Sequence, residues 1–295
     1  MRSAATHRAS LVLADERAAR CAVDVLSEVV FEADAAVAAV ERPDGQWDVT
    51  VDFARAPHEA LVRELVASAA GAIVFDTVAA KDWVKAGLDG LVPVPAGRFV
   101  VHGAHDRARV PPNKLGIEIE AALAFGTGHH GTTRSCLVLL DHVLKAGRPR
   151  RVLDLGTGTG VLAIAAAKAL HRQLLASDID ALSVGVAREN ARRNGVGHRV
   201  QVIRASGVSA PDFSRHGPFD LVLSNILANP LRQLAGPISR HLAPGAFVIL
   251  SGLLTPQASS VISAYRARGL VPLRHLRFEG WSSLLLRWQR LAEFG

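Results

Sequence analysis

The stretch Arg151-Val-Leu-Asp-Leu-Gly-Thr-Gly-Thr-Gly-Val161 constrains the fold more than any other part of the chain. Four β-compatible residues, Val152 to Leu155, run into glycines at 156, 158 and 160. Val161 to Leu170 then reads as an apolar, alanine-rich helix. Strand, glycine turn and helix in that order place a sharply turned backbone beside the positive end of a helix, where a nucleotide-like ligand can come close.

The glycine spacing narrows the ligand. A dinucleotide fold asks for Gly-x-Gly-x-x-Gly, but here Gly160 follows Gly158 by two residues and the acid Asp154 lies two before Gly156. Asp-x-Gly-x-Gly-x-Gly resembles motif I of the S-adenosylmethionine-dependent methyltransferases, which implies a doubly wound, Rossmann-like sheet. Leu174 to Asp178 reads as the next strand and ends on an acid 22 residues after Gly156. That is close to the ~20-residue offset at which a carboxylate grips ribose hydroxyls, so Asp178 is the expected ribose ligand.

At 295 residues, almost half of them hydrophobic, the chain can build one large domain and one small one. No apolar run approaches a membrane span, and the two cysteines, Cys21 and Cys136, cannot form a disulfide framework. The first ten residues carry arginines with no secretory core behind them, so a cytoplasmic protein is expected. Charge is unevenly divided. Residues 1–80 hold 7 Arg and no Lys against 13 Asp plus Glu, while the remainder holds 27 basic residues against 14 acidic, within an overall +7. An acidic front part suits a basic protein better than a phosphate backbone, whereas the basic rear leaves RNA contact open.

In chain order, the front reads as a strand over Ala9 to Ala14, a helix over Glu16 to Val30, strands over Ala35 to Val40 and Trp47 to Phe53, a helix from Pro57 to about Ala70, and a strand over Ile73 to Val78. This βαββαβ order predicts a small α+β ferredoxin-like domain over residues 1–80, serving recognition or stability. Residues 81–116 read as a linker punctuated by Pro93, Pro95 and Pro111-Pro112, with a strand over Arg98 to His102. A second glycine turn, Gly126-Thr-Gly128, then leads to Thr132-Thr133 at a helix start. The hydroxyls there serve either as caps or as part of a loop closing over the cofactor. From residue 117 onward the chain alternates strand and helix, an α/β parallel sheet covered on both faces. Two terminal strands, Leu270 to Phe278 and Ser282 to Trp288, are expected as an antiparallel hairpin at the sheet edge.

Four stretches together resemble the bacterial ribosomal protein L11 methyltransferases: Ala124-Phe-Gly-Thr-Gly-x-His-x-Thr-Thr133, Val152 to Gly160, Asp178-Ile-Asp180 with Glu189-Asn190 and Asn194-Gly195, and Asn225-Ile-Leu-Ala228. The resemblance covers nearly the whole chain. It implies a class I methyltransferase domain over 117–295, S-adenosylmethionine as cofactor, ribosomal protein L11 as substrate and a monomeric enzyme. By position it implies cofactor contacts at Thr133, Gly156, Asp178 and Asn225, with Phe125, Asp154, Gly158 and Gly160 in the same motifs. The chain departs from the family where His129 replaces the usual threonine and Gly131 the usual proline. Adjacent histidines point apart, so no metal is expected at His129-His130.

Methyl transfer to nitrogen is one in-line displacement, so positioning dominates. The nitrogen must be neutral, at ~4 to 5 kcal/mol for a lysine at pH 7 and only about 1 for an α-amine. Asn225, at the carboxyl edge of the sheet, is the candidate catalytic residue: its side-chain carbonyl would orient an amine hydrogen, unless it only caps the turn before Pro230. Cys136 is expected to pack rather than react. An N-methyltransferase acting on RNA or another basic protein is the alternative, but Ile226-Leu-Ala228 lacks the aromatic face that would hold a flipped base.

Overall fold

The computed structural model describes residues 6–19, 22, 23, 26, 35–42, 44–53, 56, 57, 59–66, 73–78, 93–119, 130–278 and 280–289. The chain folds as two compact units, the first of residues 1–90 with 125–128 and the second of residues 91–124 with 129–295.

In the first unit, strands β1 (Thr6–Leu13), β2 (Ala35–Glu41), β3 (Trp47–Phe53) and β4 (Val74–Val78) form an antiparallel sheet in the order β2-β3-β1-β4. Alternation along β1 and β3 turns Ala9, Leu11 and Leu13 to the same face as Val49, Val51 and Phe53. Val62 of helix α1 (Glu59–Val66) and the helical residues Ala19, Ala22 and Leu26 complete that core. Strand order and helix placement are those of the expected ferredoxin-like fold. The β2–β3 turn is clamped at its base by Arg42, whose guanidinium donates twice to Asp48 at 2.8 and 2.6 Å.

The second unit opens with a feature that the sequence presents as a linker. From Val94 on, the segment expected to be connector over 81–116 is a three-stranded sheet of β5 (Val94–Ala96), β6 (Phe99–His102) and β7 (Leu115–Glu118). Pro95 does not break it, because β5 is an edge strand where a missing N–H is tolerated. Phe99, Val100, Val101 and Ile117 are buried. Strand β7 packs beside α3 (Val161–Leu170), where Lys168 Nζ donates to the Gly116 carbonyl at 2.5 Å.

The main sheet has seven strands: β8 (Val152–Leu155), β9 (Leu174–Asp178), β10 (Val200–Arg204), β11 (Phe219–Asn225), β12 (Leu242–Leu254), β13 (Leu270–Phe278) and β14 (Trp281–Trp288). Their order is β10-β9-β8-β11-β12-β14-β13, with β14 alone antiparallel to its neighbours. This is the class I methyltransferase arrangement. The terminal hairpin forms as expected, with β13 outermost and β14 inserted against β12. Helices α2 (His130–Ala146), α4 (Ala181–Arg193), α6 (Ala228–Ser239) and α7 (Ala258–Arg266) follow the expected alternation. A short helix, α5 (Pro211–His216), lies between β10 and β11; its six residues with proline first are too few to show a period in sequence. Strand order reverses at β8, so the carboxyl ends of β8 and β11 border the crevice where open α/β sheets take ligands. Among the described residues no helix is long and apolar enough to cross a membrane.

Tyr265 of α7 is fully buried in the main core, and its hydroxyl has no hydrogen-bond partner among the described residues. Tyr265→Phe removes that group at constant packing and should raise stability by about 1 kcal/mol. Calorimetric melting reads the change, and a lowered melting temperature would mean the hydroxyl is bonded.

Candidate active site

The glycine loop after β8 is built by backbone hydrogen bonds to the end of β9. Gly156 N and Thr157 N donate to the Ser177 carbonyl at 2.8 and 2.9 Å, and Gly158 N donates to Asp178 Oδ2 at 2.9 Å. Space explains the glycines. A Cβ on Gly156 would lie 2.3 Å from Ile226 Cγ2, and one on Gly160 would press on Ala187 of α4 at 3.2 Å. At Gly158, in the left-handed region at φ 54°, a Cβ would meet nothing within 4 Å. The loop is therefore packed from two sides and open at its tip, which suits a ligand lying against its backbone.

Asp178 uses both oxygens to hold this geometry, Oδ2 to Gly158 and Oδ1 to the Asp180 N–H at 3.0 Å. A carboxylate has about four acceptor positions, so hydroxyl donors from a ribose still find room. Asp180 caps α4 through Leu182 N and Ser183 N. Asp154 lies beneath the loop, accepting at Oδ2 from Thr157 Oγ1 at 2.6 Å and from Ala163 N at 3.0 Å.

The other side of the crevice is formed by α2 and the ends of β11 and β12. Asn225 Nδ2 lies 3.5 Å from both Thr132 Oγ1 and Thr133 Oγ1, which engages its amino end and leaves its carbonyl for another partner. Asn225 does not cap α6: Leu227 occupies the N-cap position, with no side-chain cap bond. The two sides meet at Ile226, which packs on Gly156 and whose carbonyl faces Gly252 so closely that a Cβ there would lie 2.4 Å away. The structure thus gathers Asp154 and Asp178 around the loop of Gly156, Gly158 and Gly160, with Asn225 and Thr133 on the other side of the crevice. Phe125, with the Gly126-Thr-Gly128 turn and His129, lies outside the described residues.

Two residues of a family motif, to which the sequence alone gives no role, support the loop from behind. On α4, buried Asn190 donates to the Thr159 carbonyl at 2.9 Å, and at the C-cap of that helix Asn194 accepts from Glu118 N at 2.9 Å while donating to Glu118 O at 2.7 Å. One turn apart, they hang the glycine loop and the end of β7 on one helix face. Their signal was an amide in the apolar stripe of Val184, Ala187 and Ala191.

A family model described as Ribosomal protein L11 methyltransferase (PrmA) matches residues 10–289. The chain belongs to this family. Proteins named ribosomal protein L11 methyltransferase from Bradyrhizobium diazoefficiens and Rhodopseudomonas palustris are 74% and 66% identical to it, each over 97% of this chain and 99% of the relative. The crystal structure of a ribosomal protein L11 methylase from Lactobacillus delbrueckii subsp. bulgaricus is similar at a TM-score of 0.58 and 28% identity, covering 65% of this chain and 96% of that one.

In this member of the family, burial sets two protonation states. Cys136 is fully buried, and burial pushes its thiol up to about 12 despite a hydrogen bond with Ser251, so it is a neutral packing group. Burial also pushes Asp154 up to about 6, against the bonds from Thr157 and Ala163, and its Oδ1 has no partner among the described residues. Between the ordinary 3.8 and about 6 the folded protein holds a proton that the unfolded chain has released. Stability therefore falls as pH rises through that window and stays lower above it. Asp154→Asn can still accept both bonds but does not titrate. Relative to that variant, the ligand-free protein should lose about 3 kcal/mol between about pH 4 and pH 7, read by calorimetry. Parallel pH profiles would show that Asp154 ionises normally.

Proposed function

We propose that this protein transfers methyl groups from S-adenosylmethionine to amino groups of ribosomal protein L11, on lysine side chains or the α-amine. The observation that carries the reading is the family match over residues 10–289 together with a glycine loop bonded to Asp178 at the switch point of the sheet. When bound, the cofactor supplies an electrophilic methyl group on a positively charged sulfonium. The open tip at Gly158 and the spare acceptor positions of Asp178 fit its nucleoside, and the buried Asp154 carboxylate fits its positive charge. Thr133 and Phe125 complete the proposed cofactor set with Gly156, Gly160 and Asn225.

The chain's residues have two tasks. They hold the methyl group in line with the incoming nitrogen, and they keep that nitrogen neutral. Asn225, with its amino end on Thr132 and Thr133, presents its carbonyl to an amine hydrogen. Desolvation in the crevice favours the neutral amine. The acidic first unit, proposed as the recognition domain, suits a lysine-rich partner.

Asp178→Ala should weaken S-adenosylmethionine binding by ~1 to 3 kcal/mol in calorimetry, through lost charge-assisted hydrogen bonds. Asn225→Ala should instead lower kcat more than it weakens cofactor binding. A normal rate at saturating cofactor in the Asn225 variant would make it a binding residue only.

A chain truncated to residues 91–295 keeps the whole described site and should bind S-adenosylmethionine almost as the full chain does. It should fail to methylate intact L11, measured with labelled methyl donor. Equal activity of the two would remove the recognition role from the first unit.

A further inference from the structure

We propose that a cationic groove along α2 in the second unit docks the phosphate backbone of RNA, a contact separate from the capture of the protein substrate. Two adjoining clefts of about 670 and 290 Å3 share Gly97, Asp141 and Lys145. The first is bordered by Arg98, Asn113 and Lys114 and the second by Val138, His142, Arg274 and Leu276. Together they form a groove between the β5–β6 hairpin and the edge strand β13.

Among the described residues that line it, the one carboxylate, Asp141, lies underneath. The Asp141 side chain is 6% exposed, and it accepts from Arg98 Nε at 2.5 Å and Lys145 Nζ at 2.9 Å. Burial works against the charge on Asp141, but the bonds from Lys145 and Arg98 outweigh it and hold the carboxyl below its usual range. The acid thus fixes two cations whose outer faces remain accessible, Arg98 at 34% and Lys145 at 69% exposure. Lys114 is held in the same way by a neutral acceptor, with Nζ donating to the Gly97 carbonyl at 2.6 Å. Arg274 is held by His142, whose Nε2 accepts from its guanidinium at 3.1 Å.

Nearer the start of α2, Arg134 donates to the Pro95 carbonyl and stacks 5.2 Å from the centre of the Phe278 ring. From Arg134 to Lys145 the helix runs roughly 16 Å, so the cations form a row rather than a single anion pocket. A row of fixed cations over a neutralised acid matches a chain of phosphates, which such side chains bind without reading sequence. Guarding the edge of β13 against strand pairing accounts for Arg274 alone. It does not account for Arg98, Lys114 and Lys145.

The test measures binding of a fluorescent oligouridylate to the full-length protein by anisotropy, from about 50 to 200 mM salt. Lys114→Ala with Lys145→Ala should reduce affinity on the order of tenfold and lower the salt slope by about 1.4, about 0.7 for each lost phosphate contact. A second pair, Lys114→Gln with Arg274→Gln, leaves both Asp141 partners in place and should show the same loss with an unchanged melting temperature. Arg172→Ala with Arg240→Ala removes equal charge from exposed positions outside the groove and should leave binding as it was. Equal losses in the groove and control variants would overturn the proposal. So would the absence of binding at the lowest salt, or displacement of the probe by uridine monophosphate at equal phosphate concentration, which would identify a small-anion site instead.

Discussion

The site depends on the short set of hydrogen bonds by which the end of β9 holds the turn after β8. Ser177 offers its carbonyl to two successive N–H groups and Asp178 its carboxylate to a third, so three donors of one loop converge on two adjacent residues. Without them a loop with glycine at 156, 158 and 160 would sample many conformations, at an entropic cost on binding. Preorganisation explains why the loop also needs support from behind: Asn190 holds it at Thr159, and Ile226 and Ala187 close the two sides where side chains are missing.

Much of this was legible in the sequence because it follows from local rules. The strand read over Trp47 to Phe53 matches β3 to the residue. The glycine spacing and the acid at 178 located the loop and its partner. Of the three-stranded sheet only β6 was legible, as the strand over Arg98 to His102; β5 and β7 were not, because the prolines look like punctuation and both strands are short. A cue was nevertheless present in α3. That helix is apolar around its whole circumference, with Val161 to Ala167 all buried, and a helix lying on one sheet with its back to water would not be. The second cover it requires includes β7. Asn190 and Asn194 stand in a family motif and interrupt an apolar stripe, but the carbonyls of Thr159 and Glu118 that they meet, and hence their role, are visible only in the structure.

The same structure separates charge by task. Acidic groups in the second unit are few and most are committed: Asp154 to the loop, Asp178 to Gly158, Asp141 to Arg98 and Lys145, Glu118 to Arg107. Asp154 is the expensive one. Its burial makes the ligand-free site less stable at neutral pH than a neutral residue would.

The position of β14 bears on how the molecule comes into being. It is the last strand among the described residues, yet it lies inside the sheet, hydrogen-bonded to β12 on one side and β13 on the other. During synthesis every earlier strand leaves the ribosome while this slot is still empty, and β12 stands with an unpaired edge. Domains form from the N-terminus as they emerge, so the first unit can be complete while the catalytic sheet waits for its final residues. Ser251, which is near the crevice on β12, gains its 2.6 Å partner Ser283 only at that moment. A nascent chain stalled before β14 would therefore carry a finished front unit and an open rear sheet.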